Sequence, residues 1–146
     1  MESIMKYLLS ISIILSFSFG QWPTSPDNPL WLGEGVQAQV RATSDGGAYV
    51  AWFSDGNYHV YLQRLNSDGE PQWSNGGMVV SDQPNSSWIA VHHMNLAVDG
   101  DDNAIISTLD TRTGLWQVYA YKIAPDGSML WGEDGLVLSA SGVESI

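Results

Sequence analysis

The chain has no cysteine, and it carries 5 lysines and arginines against 16 aspartates and glutamates, a net charge of −11 at neutral pH. Without thiols there are no disulfides, no cysteine-ligated zinc and no thiol nucleophile. Stability must come from packing or from a larger assembly. The shortage of cations argues against nucleic acid, whose binding depends on neutralising phosphates. It offers no attraction to anionic lipid either. No Gly-rich phosphate loop occurs, and no Gly-x-Ser-x-Gly elbow. Beyond the first twenty residues there is no apolar run of spanning length and no capped stretch of helical periodicity.

Those first twenty residues have the layout of a secretory signal peptide. Lys6 supplies the basic start and YLLSISIILSFSF (Tyr7 to Phe19) the apolar run. Ser18 and Gly20 are the small residues before a cut ahead of Gln21. The alternative is an uncleaved N-terminal anchor, but the run is short for a span of about 20 residues. The leader holds one acid and one base (Glu2 and Lys6), so its removal leaves the net charge at −11.

One polar phrase occurs twice. NSDGEPQWSNGG (Asn66 to Gly77) reappears as APDGSMLWGEDG (Ala124 to Gly135), each with Asp-Gly, a Trp five residues after the Asp and a Gly four residues after the Trp. Around it, YLQRLNSDGEPQW lies over YAYKIAPDGSMLW without a gap at an offset of 58 residues. Upstream the offset is 56, and Ala48 to Phe53 faces Ala104 to Leu109. The slack of two residues falls in polar connections, where length changes belong.

Each unit reads as four short strands. In the first they are Gln37 to Thr43, Ala48 to Phe53, His59 to Leu65 and Met78 to Val80. In the second they are Asn95 to Val98, Ala104 to Leu109, Gln117 to Ile123 and Leu136 to Leu138. Val, Ile, Tyr and Trp suit a pleated, half-buried surface, and the breaks carry Gly and Asp, which tolerate tight turns. The expected fold is all-β, with antiparallel four-stranded repeat blades of a partial β-propeller. An eight-stranded, two-sheet sandwich explains the alternation but not the long-range match.

A third, partial copy lies at Ser25 to Gln37, where Trp31 and Gly35 take the places of Trp131 and Gly135. It reads as an orphan closing strand, Trp31 to Gln37, whose sister strands are absent. The organisation expected is a leader (1–20), an N-terminal segment (21–36), one blade (37–80), a connection (81–93), a second blade (94–139) and a truncated tail (140–146). Closing a ring takes roughly four to eight blades. The missing ones are expected from the same chain or from self-association.

The frame DGGAYVAW … VYLQRLNSDGEPQW … GGMVV resembles the repeat of large exported bacterial propeller-like proteins, many of them sorted by type IX secretion. The RLNSDG…GG portion is similar to the delta-60 type of repeat. The resemblance covers Ser25 to Ser139 and implies a fold and an exported location, with no defined activity. A sialidase-type Asp-box would place Gly two residues after the Asp, whereas Gly69 and Gly127 follow immediately.

Two groups of residues are candidates for chemistry. DGDDN puts Asp99, Asp101 and Asn103 at alternate positions, as in loops that wrap oxygen ligands around calcium. Ala104 stands where such a loop has its Gly, and the bland reading is a turn cluster. Trp88 and Trp116 have no counterpart in the other repeat and lie in connections, where binding residues concentrate. With Tyr58 and Asn57 they offer stacking surfaces for a glycan or protein ligand; packing is the bland reading. His92 and His93 point to opposite faces of an extended chain, so with His59 they converge only by accident of folding.

The function expected is an exported binding or scaffold module without a catalytic site. The alternative is the N-terminal fragment of an extracellular carbohydrate-active hydrolase, with its pair of carboxylates elsewhere.

Overall fold

The computed structural model describes Trp22, residues 25–85, Val91 and residues 93–140. The expected leader, Trp88, His92 and the end of the tail lie outside the described residues. Among the described residues there are eight strands: β1 (Val36–Ala42), β2 (Ala48–Phe53), β3 (Val60–Leu65), β4 (Met78–Ser81), β5 (Asn95–Val98), β6 (Ala104–Asp110), β7 (Gln117–Ile123) and β8 (Leu136–Val137). They form two antiparallel sheets, ordered β1-β2-β3-β4 and β5-β6-β7-β8. Each strand pairs with its neighbour in sequence, so each sheet is a simple meander, and neither is closed.

The turns repeat in atomic detail. The amide of Gly69 donates to the Asn66 carbonyl at 3.0 Å, as that of Gly127 donates to Ala124 at 2.9 Å. Leu65 bridges to Pro71 as Ile123 does to Met129. Further on, Gly77 and Gly135 hold φ of +74° and +67°. A Cβ on either would stand 2.6 Å from the Leu62 carbonyl oxygen or 2.7 Å from that of Ala120. Only glycine lets the chain approach that closely in this conformation.

The main core lies between the sheets. The first sheet contributes Tyr49, Ala51 and Phe53 of β2 with Val60 and Leu62 of β3, which the β2–β3 register places on one face. The second contributes Leu96, Ala104, Ile106, Tyr121 and Ile123. Burying each of the large side chains contributes about 1.5–3 kcal/mol.

Polar bonds stitch the same boundary. Tyr49 donates its hydroxyl to the Asp102 carbonyl at 2.9 Å, and Ser44 donates its amide to the Asp102 carboxylate at 2.8 Å. The Gln39 side chain donates to the Met94 carbonyl and accepts from the Leu96 amide at 3.1 Å.

The two sheets do not meet through corresponding faces. Tyr49 and Ala51 of β2 correspond to Ile105 and Ser107 of β6, yet the second sheet turns Ala104, Ile106 and Thr108 inward. The packing is head-to-tail.

On the outer face of the first sheet, Val50, Trp52 and Leu65 form a second small cluster against Trp22, Leu32 and Tyr61. Here the structure departs from the expected orphan strand. Trp31 to Gln37 is no separate strand: Val36 and Gln37 begin β1, with Val36 opposite Phe53 and a bulge before Gln39. The residues before them cross the outer face at Trp52, which lies against Gly33 and Gly35. The reason is chain length. Thirteen residues (82–94) separate β4 from β5, whereas no such connection lies between Gly35 and β1 to carry the chain from an outer strand to a first one.

Candidate functional site

The β2–β3 and β6–β7 turns occupy corresponding ends of their sheets, and the segment after β4 joins them. Asn85 donates its side-chain amide to the Tyr58 carbonyl at 2.8 Å. One residue earlier, the Pro84 carbonyl accepts from the Thr111 amide at 2.8 Å and its hydroxyl at 3.0 Å. Three of the sequence-predicted ligand residues therefore belong to one end of the molecule. Tyr58, at φ +55°, meets Phe53 edge-on at 6.5 Å. Asn57 accepts from the Ser54 hydroxyl at 2.5 Å and lies 3.2 Å from the His59 ring. Trp116 is half-buried in the β6–β7 connection.

Next to Trp116 is a feature that sequence reasoning missed, a concavity of about 320 Å³ lined in part by Arg112, Thr113, Gln117, Tyr119, Asp134 and Val137. Asp110 ends β6 with its side chain 1% exposed and pairs with Arg112 at 2.6 Å. Arg112 also donates to the Tyr121 hydroxyl at 2.5 Å and to the Asp134 carbonyl at 2.8 Å. Its guanidinium lies 3.7 Å above the Tyr119 ring, a cation–π distance. Tyr121 in turn donates to the Ser81 hydroxyl at 3.1 Å, which ties this corner to the first sheet.

Burial opposes the charge on Arg112, but Asp110 and Tyr121 more than offset it and its pKa is raised. The Tyr119 hydroxyl is also raised, chiefly by burial. Gln117 accepts from the Thr113 hydroxyl at 2.7 Å and from Tyr119 at 3.3 Å. The corner thus presents a permanently charged planar group, itself stacked on the Tyr119 ring, and a fixed amide. Such groups orient a ligand. A sequence signal existed: Asp110-x-Arg112 brackets a turn, and Tyr119 and Tyr121 share one face of a strand.

The DGDDN loop has a different organisation. Asp99 Oδ1 accepts from the amides of Asp101 at 3.0 Å and Asn103 at 2.9 Å, and its Oδ2 pairs with Lys122 Nζ at 2.7 Å. The Lys122 ammonium and then the Asn103 side chain hold the Asp99 carboxyl well below the usual carboxylate range. Asn103 is buried and bonded to Asp99, whereas Asp101 is exposed. The loop therefore gathers Asn103 and Lys122 around the Asp99 carboxylate. Among the described residues no three His, Cys, Asp or Glu side chains converge in a metal-holding group.

No protein-family model, no curated protein and no solved structure matches the chain. Among the described residues no helix is long and apolar enough to cross a membrane.

Proposed function

We propose that the chain is an exported, propeller-type repeat module that binds a glycan at the loop end of its two sheets. The observation that carries this reading is the Arg112–Tyr119 corner: a concavity of about 320 Å³ lined by polar groups, Arg112 and Gln117 among them, that are already fixed by their neighbours. Preorganised groups lose little entropy on binding, which favours recognition. Trp116 on the same turn supplies a stacking surface, and the head-to-tail packing of the sheets is the arrangement that stacked blades use.

A glycan array probed with the purified chain tests the proposal. Binding is expected, and Val137→Arg should abolish it by filling the concavity from an exposed position (Val137 is 54% exposed). Absence of any glycan binding would overturn it. So would hydrolysis of a glycoside that disappears on neutralising two acids.

A further inference from the structure

The contact between the sheets is asymmetric: its donor surface recurs on the second sheet with no sheet against it among the described residues, and its receiving surface recurs on the first sheet, where the segment crossing Trp52 covers it in part. The donor surface is the inward face of the first sheet. It carries Gln39, which bonds β5, and Tyr49 and Arg64, which face the second sheet. It also carries Trp73, whose indole lies 3.5 Å from the Cβ position of Gly127. The corresponding residues of the second sheet are Asn95, Ile105, Lys122 and Trp131. They belong to its outward side, where Asn95 is exposed and Ile105, Lys122 and Trp131 are half-exposed. Among the described residues there is no third sheet to cover them.

The receiving surface recurs as well. Met94 and Leu96, which Gln39 grips, correspond to Ala38 and Val40 on the first strand of the other sheet. Ile106 corresponds to Val50, and Gly127 to Gly69. Val40 is 53% exposed. Ala38, Val50 and Trp52 line an open groove of about 220 Å³, whose far wall is Leu30 to Gly33.

From this we propose that the outward face of the second sheet is a docking surface for the outer face of the first sheet on a second copy of the chain. The operation that carries the first sheet onto the second sets Asn95 against the β1 backbone at Ala38 and Val40. It also sets Trp131 over Gly69. Such a head-to-tail contact either closes a ring or continues as an open chain of copies. The arriving copy competes with the segment crossing Trp52, in which Trp31 is already 68% exposed. Each copy also carries a net charge of −11, so association is weak and strengthens when salt screens that repulsion. The proposal rests on the packing of the sheets and is independent of glycan binding, which Val137→Arg removes without touching Asn95 or Val40.

The test is light scattering on the full chain over a concentration series at high salt. The apparent mass should rise with concentration. Ile105→Lys and Val40→Glu should each weaken association by about 100-fold or more, since each buries an unpaired charge. Unchanged circular dichroism would show that both variants fold. Mixing them should restore a dimer and nothing larger, because one retains each half of the contact. A monomer at every concentration would overturn the proposal. It would equally be overturned by association that survives both substitutions, or by a mixture that stays monomeric.

Discussion

The backbone amide of Leu96 donates to the side-chain oxygen of Gln39 at 3.1 Å, across the boundary between the two sheets. The same side chain gives its amide hydrogen to the Met94 carbonyl. One glutamine thereby satisfies both backbone groups that flank Asn95 at the start of β5. Truncation leaves a half-buried donor and acceptor unpaired, and each such loss costs roughly 1–3 kcal/mol. Gln39→Ala should lower the stability measured by urea unfolding by about 2 kcal/mol or more, without changing the strand content seen by circular dichroism.

At high pH the boundary should weaken through Tyr49. Burial pushes its hydroxyl up to about 12, with Arg64 opposing the shift. In the unfolded chain a tyrosine ionises near 10. Stability from Tyr49 is therefore complete below pH 10 and is lost as the pH rises from about 10 to about 12. Tyr49→Phe removes that part of the alkaline loss, which can be read from unfolding midpoints taken at successive pH values.

The Asp99 carboxyl, held low by Lys122 and Asn103, acts at the other end of the scale. Its contribution is present above the ordinary carboxylate value near 3.8 and is lost as the pH falls through its depressed folded value. Asp99→Asn should flatten the acid limb of the stability profile. Because Lys122 already supplies the counter-charge, calcium should leave the melting temperature unchanged, in the parent chain and in Asp101→Ala alike. A calcium-dependent rise abolished by Asp101→Ala would establish the cation site instead.

Removing Asp110 should be among the most damaging single changes at the loop end. Asp110→Ala removes the main counter-charge of the Arg112 guanidinium, itself only 14% exposed, and leaves it the Tyr121 hydroxyl, the Asp134 carbonyl and the Tyr119 ring; losing such charge-assisted bonds costs roughly 1.5–3 kcal/mol. Arg112→Met added to Asp110→Ala should recover part of the loss, a coupling that a double-mutant cycle measures.

Gly77→Ala and Gly135→Ala should each destabilise the chain by about 1–3 kcal/mol. Both glycines combine positive φ with a neighbouring carbonyl oxygen inside contact distance of a Cβ. Gly76, also at positive φ but with nothing within 4 Å of its Cβ position, separates the two causes. Gly76→Ala should cost less, as unfolding by denaturant would show.

The strands were legible because their signals are local. Alternating β-formers bounded by Asp-Gly and Asn-Gly turns place β2, β5 and β7 at the predicted residues and the others within a residue or so. At the expected orphan strand the match at Trp31 and Gly35 reports a similar turn, and Val36 and Gln37 run on into β1. Whether that turn ends in an outer strand or leads directly into β1 depends on the length of chain that follows. The candidate site was legible only in part. Tyr58, Asn57 and Trp116 are legible as loop residues that together offer stacking surfaces, but their placement at one end depends on Pro84 and Asn85, which carry no such signal.

By itself, then, the sequence determined an all-β chain of two similar four-stranded units, because strand alternation and turn chemistry act over a few residues. Tertiary structure alone decided which face of each sheet meets the other sheet. Both faces of β2 are apolar, so alternation does not choose between Tyr49 and Trp52, and only the opposing sheet does. It also decided that Asp110, Arg112, Tyr119 and Tyr121 form one cluster. A charge so little exposed to water is tolerated only with a partner in place, and the tyrosine that completes the arrangement is bound to Ser81 of the other sheet.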